Sequence, residues 1–212
     1  IPRELWPKSF ADILNLLTTR KALFPRNSIC VFDPMRSGFG LAFLYYQHKL
    51  LEPLFTSTLN AIAGIGAQLH AATGPQIERV RLGECIISQS LIANYAFREA
   101  KTDPRIGVFI PEDFVLLLPR VIFITKQAQH PNAAKLFIEF VLSEEGQRAL
   151  ASSAEVTIID NPYYPQLSLP YIKANVRYAI IAKLDDDIVK ELLDTRRREE
   201  FLNYFKSILG IK

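Results

Sequence analysis

The chain has 212 residues, 49% of them hydrophobic, and carries 25 basic and 22 acidic residues for a formal charge of +3; it is long enough for one large domain or two small lobes with a sizeable core. The basic residues are dispersed rather than gathered into an arginine-rich or aromatic-interleaved stripe, which argues against a nucleic-acid partner. The longest apolar stretch, FVLLLPRVIFI at 114–124, is broken by Pro119 and Arg120 and falls well short of the ~20 residues that cross a bilayer.

The chain opens on Ile1 without the charged, apolar and small-residue succession of a signal peptide, so any such segment is expected to have been removed or not included. Ser9 is placed to cap a helix on which Phe10, Ile13, Leu14 and Leu17 recur at helical spacing. SICVFD at 28–33 reads as a strand ending in Asp-Pro, and Leu41, Leu44, Tyr45 and His48 mark one face of the helix that follows. The stretch 52–74 is less regular, with Gly64, Gly66 and Gly74 as punctuation. A short helix with Pro75 in its first turn then leads into the strand ECIISQS at 84–90.

A helix is expected over 91–101, a strand over IGVFIP at 106–111, and an extended run over 112–126 in which Pro119 marks an edge or a bend. Pro131 opens a helix with Ala134, Phe137, Ile138 and Val141 on one face, and Ser143 caps another directly after it. DNPYYPQLSLPY at 160–171 reads as a proline-rich surface loop. Two polar helices, around 185–194 and 196–208, close the chain. The alternation predicts an α/β protein with a largely parallel sheet and with ligands at the carboxyl ends of its strands. There is no internal repeat and no low-complexity tract.

Cys30 and Cys85 each sit in a strand-like run without C-x-x-C spacing, which favours two buried thiols and leaves a disulfide open should the strands be neighbours. His48, His70 and His130 have no metal-ligand spacing, and the common hydrolase, nucleotide and dinucleotide motifs are missing. No catalytic residue, metal site or cofactor is expected. Asp185–Asp187 favour a helix start, and RRREE at 196–200 reads as a solvated helical face needing no partner. In DPMRSGFG at 33–40, Gly38 and Gly40 let the backbone approach a bound group, Ser37 offers a hydroxyl, and the amides of the following helix point toward an anion.

HPNAAKLFIEFVLSEEGQRALA at 130–151 resembles a passage of the solute-binding proteins of bacterial ABC importers, where H-P-x-A-A-x-x-F-x-x-F is followed by L-S-x-x-G-Q. WPKSFADIL, ICVFDPMRSGFG, RLGECIISQSLIANYAFREA and PEDFVLLLPRVIFITKQA resemble further family segments in the same order, so that the likeness covers residues 6 to 151. The best fit is the branch with iron(III)-binding and phosphorylated-metabolite-binding members. The resemblance implies a type 2 periplasmic-binding-protein fold, with two α/β lobes of mainly parallel sheets closing on a ligand. Residues 1–112 would form the second, ligand-gripping lobe and residues 113–212 the returning part of an incomplete first lobe with C-terminal helices.

By the same resemblance, Ser37, Gly38, Phe39 and Gly40 grip an oxyanion, with Asn94 and Tyr95 on the site; Arg36 and Arg120 are further candidates by their chemistry, each offering a bidentate guanidinium to an anion. Ala96 stands where iron-binding members carry a second tyrosine, so a phosphorylated or carboxylated metabolite is expected ahead of ferric iron. The implied partners are a small anionic ligand and an ABC importer permease, in the periplasm or outside the cell. A ligand-sensing module of a receptor or kinase system is the alternative, and a ferric-iron-binding protein a further one. Family members begin with a first-lobe segment that has no counterpart here. A second chain or a missing N-terminal segment is therefore expected to complete the first lobe, and the latter half to expose an apolar sheet edge or face, or to cover it with a partner.

Overall fold

The computed structural model describes residues 1–183 and 185–211. Two parallel sheets organise it. In the first, β1 (Ile29–Phe32) lies between β2 (Ala67–His70) and β3 (Ile87–Ser88), with Cys30 opposite both Gln68 and Ser88. All four residues of β1 are buried, as befits a central parallel strand covered on both faces. Around this sheet run α1 (Phe10–Thr19), α2 (Gly38–Leu50), α3 (Leu54–Ile65), α4 (Thr73–Arg81) and α5 (Ala93–Thr102).

The predicted Ser9 cap forms: its Oγ accepts the Asp12 N–H at 3.0 Å, and Phe10, Ile13, Leu16 and Leu17 are buried. The irregular reading of 52–74 is corrected, because α3 and β2 occupy most of it. Of its three glycines only Gly66 turns the chain, with φ +101°; a Cβ there would lie 2.1 Å from Asn27 Oδ1. The strand expected over 106–111 does not form. Ile106 instead packs with Ile77 and Ala96, and Gly107 lies under the Trp6 ring. The two cysteines are disulfide-bonded, with Cα atoms 5.8 Å apart, because Cys85 lies two residues before β3, which runs alongside β1; the reading of two free thiols is overturned.

The second sheet pairs β4 (Phe114–Leu117) with β5 (Tyr178–Ile181) in parallel. Between them come α6 (Pro131–Leu142), α7 (Glu144–Ser152) and α8 (Leu169–Asn175), the last lying partly in the stretch expected as loop. The extended run expected over 112–126 is a strand only as far as Leu117. The polar C-terminal helices are α9 (Asp187–Leu193) and α10 (Thr195–Leu209).

The main apolar cluster joins both sheets. Phe114 of β4 meets Phe10 of α1 and Phe43 of α2 with ring centroids 6.3 and 6.2 Å apart. On the far side of α2, Phe201 of α10 packs on Tyr45 and His48 at 5.1 and 5.4 Å. Tyr45 and Tyr46 donate to Glu191 and Asp186 at 3.0 and 3.1 Å, and burial, followed by these carboxylates, pushes both phenols up to about 12. Glu191 also pairs with Lys49 at 2.8 Å and Arg197 at 2.7 Å. Part of the RRREE run thus does have a partner, and the α9–α10 pair is tied to α2 by charge as well as by apolar contact.

Candidate functional site

Because the strands of the first sheet are parallel, their carboxyl ends share one edge. There β1 leads into α2, β2 into α4 and β3 into α5, bringing three helix N-termini to that edge, the position favoured for ligands in open α/β sheets. The turn after β1 is held by Asp33. Its buried carboxylate accepts the Met35 N–H at 2.9 Å and Arg36 Nε at 2.5 Å, and its carbonyl accepts the Ser37 N–H at 2.9 Å. Ser37 caps α2, its Oγ accepting the Gly40 N–H at 3.0 Å and its carbonyl the Leu41 N–H at 2.8 Å. Among the described residues, the N–H groups of Gly38 and Phe39 have no protein acceptor. Two amide donors and a serine hydroxyl proton thus remain for a ligand.

The two glycines of the turn differ. A Cβ at Gly40 would lie 2.6 Å from that of Phe32, whereas at Gly38 it would meet nothing within 4 Å. Gly40 therefore serves the close packing of α2 on β1 rather than the approach of a ligand, and Gly38 alone borders open space. The Phe39 ring is committed to the core, edge-on to Phe32 at 5.3 Å and stacked on Phe43 at 6.1 Å; its amide is the part left for binding.

Two arginines bear on this edge, each paired with a carboxylate, Arg36 with Asp33 and Arg79 with Glu84. His70, the last residue of β2, lies beside the turn, its carbonyl accepting the Asp33 N–H at 2.9 Å. The imidazole pKa is lowered from the ordinary 6.5, first by burial and then by the Arg79 and Arg36 guanidinium charges. The Nε2 atom is buried and has no hydrogen-bond partner among the described residues. Asp33 and His70 were missed as site residues from sequence. The Asp-Pro pair at the strand end was a signal for the first, whereas His70 reaches the turn only through the register of β2 against β1.

Asn94 and Tyr95 lie in the first turn of α5, at the same edge. Asn94 is buried and donates through Nδ2 to Glu155 Oε1 at 2.9 Å, so its side chain anchors the chain beyond α7. Tyr95 is 43% exposed, with the Arg98 guanidinium 5.8 Å from its ring centre. Arg36 keeps most of its side chain in solvent while its Nε holds Asp33. Arg120 is exposed and follows β4 of the other sheet; no hydrogen bond or ion pair among the described residues links it to the Ser37 turn. The turn and the start of α5 thus lie at the same end of the first sheet without a hydrogen bond between them among the described residues, and Arg120 is not joined to either.

Residues 2–175 match the family model for "Bacterial extracellular solute-binding protein". The chain belongs to that family. Among curated proteins, none matches it. Among solved structures, the substrate-binding protein of an ABC transporter from Agrobacterium tumefaciens is similar, with a TM-score of 0.74 at 20% identity over 96% of this chain. That likeness supports the α/β fold with parallel sheets. The chain spans 59% of the length of that structure. The extracellular family accords with the Cys30–Cys85 disulfide, a bond that persists in oxidising compartments.

Proposed function

We propose that this solute-binding protein serves an ABC importer outside the cytoplasm, capturing a small anionic metabolite with a phosphate or carboxylate group and delivering it to the permease. The observation that carries the reading is the Ser37 turn, where the Gly38 and Phe39 amides lack acceptors beside the charges of Arg36 and Arg79 that bear on His70. Amides fixed at a helix N-terminus suit an oxyanion without needing to reorganise. Residues 1–112 act as the gripping lobe and residues 113–212 as part of the opposing one, and contacts on both sides favour the closed form that the permease takes up. Arg36 and Tyr95 reach the ligand from the rim. Arg120 contributes from the opposing lobe on closure.

The test is a thermal-shift and calorimetric screen of phosphorylated sugars, phosphoglycerates, dicarboxylates and ferric iron, since a ligand of the native state raises its midpoint according to affinity. Gly38→Pro sharpens it. Proline is tolerated at the first helical position and removes one N–H, and a Cβ at Gly38 meets nothing within 4 Å. The variant is expected to fold with unchanged stability and to lose about 10-fold or more in anion affinity, the scale of one hydrogen bond to a charged group. Stabilisation by ferric iron alone, or unchanged anion binding by Gly38→Pro, overturns the reading.

A further inference from the structure

The start of α5 is held from outside its own sheet. Of the three helices that begin at the carboxyl edge, α2 is capped by a side chain, whereas α4 follows Ala72 and α5 follows Ile92, neither of which makes a side-chain cap. An uncapped helix start frays unless something else fixes it. For α5 the chain beyond α7 does so. Glu155 accepts the Asn94 Nδ2–H in Oε1 at 2.9 Å, and one turn along α5 the Arg98 guanidinium lies 3.7 Å from the same oxygen and donates to the Ser153 carbonyl at 2.9 Å. Ala93 and Phe97 form the neighbouring stripe of α5 and pack on Ala154, Tyr164 and Leu167.

Glu155 is itself firmly placed. Ala154 before it is 0% exposed and takes a left-handed φ of +61°, and the Glu155 N–H donates to the Leu150 carbonyl of α7 at 3.2 Å. The two groups it receives are not equal. The Arg98 pair is partly in solvent and, like most such pairs, adds little by itself. Asn94 is 5% exposed, so its desolvated amide is costly to leave without an acceptor. The same Arg98 lies 5.8 Å from the centre of the exposed Tyr95 ring. Given the anion capture proposed for this edge, on which the assignment rests, we infer that Glu155 is a positioning residue for ligand binding: through Asn94 and Arg98 it fixes the first turn of α5 and the stance of Tyr95.

The experiment titrates inorganic phosphate into the native chain, Glu155→Gln and Glu155→Ala by calorimetry, and follows the Tyr95 ring signals of each by NMR. Glutamine keeps an acceptor for Asn94 and gives up only the charge toward Arg98, whereas alanine gives up both. Phosphate affinity is expected to fall about 10-fold or more in Glu155→Ala and by less than about 3-fold in Glu155→Gln. The Tyr95 signals should shift in the first and stay near their native positions in the second. Should Glu155→Ala not fold, Glu155→Asp takes its place; it keeps the charge, withdraws the carboxylate from Asn94 and should act as the alanine variant does. Native phosphate affinity in that variant overturns the inference even where its urea midpoint falls, since the tie is then structural only. Equal losses in the glutamine and alanine variants overturn it too, by assigning the effect to charge. If the native chain takes up no phosphate, anion capture at this edge fails, and Tyr95 signals unmoved in Glu155→Ala overturn the positioning as well.

Discussion

α1 and α6 carry apolar residues at the same helical spacing, and both open at a residue suited to a helix start, yet they end differently. α1 buries Phe10, Ile13, Leu16 and Leu17 against the layer that includes α3, whereas α6 buries nothing. The sheets differ in the same way, β1 being flanked and covered while, among the described residues, β4 and β5 pair only with each other. Amphipathic periodicity states which face seeks cover and is silent on whether the cover lies within the same residues. The covered region also holds the Ser37 turn and the disulfide.

The largest way to break this contrast is to open that disulfide. It closes a loop of 55 residues, and in the loop-entropy description its removal costs about 4 kcal/mol. Cys30→Ser with Cys85→Ser, or reduction of the native bond, should lower the urea midpoint and steepen the transition, because the unfolded chain without the cross-link is more expanded. A shift too small to measure would mean that the covered region owes its stability to packing alone. Next in size is Leu17→Ala. Leu17 is 0% exposed, and emptying a buried leucine costs about 2–5 kcal/mol, to be read from the same urea titration.

The contrast extends to protonation. His70 sits where β2 meets the Ser37 turn, and burial together with Arg79 and Arg36 depresses its pKa below 6.5. The folded state therefore binds this proton less readily than the unfolded chain. The stability tied to neutral His70 is complete above pH 6.5 and is lost as the pH falls through the lower, folded value. A bound anion offsets the arginine charges, so the His70 ring signal in an NMR titration should move its midpoint upward when phosphate saturates the turn, and phosphate should bind more tightly as the pH falls. A midpoint indifferent to phosphate would separate these arginines from the binding site.

How much of this was legible depended on how local the cause was. The Ser9 and Ser143 caps, Pro131 at a helix start and the strand-turn-helix at 28–50 rest on residues within a few positions of one another, and they appear where the sequence placed them. The failures are non-local. IGVFIP at 106–111 has strand composition and no neighbour to pair with, whereas Tyr178–Ile181 becomes a strand because β4, some sixty residues earlier, lies alongside. Strand identity belongs to a pair, and one sequence displays only one member. The turn at 33–40 was visible as a motif. The division of labour between Gly38 and Gly40, and the arrival of His70, came from packing and register. Cys30 and Cys85 likewise required the adjacency of two strands before their pairing was decided.

The smallest expected effect is the one that bears most directly on the uncovered region. Phe137 of α6 is 59% exposed, so Phe137→Ser removes little buried surface and should change the unfolding free energy by no more than about 0.5 kcal/mol, as surface substitutions do. The variant should also be less prone to associate, since it interrupts an exposed apolar face. A cost well above that value would mean that α6 is covered by other parts of the chain, contrary to its exposure.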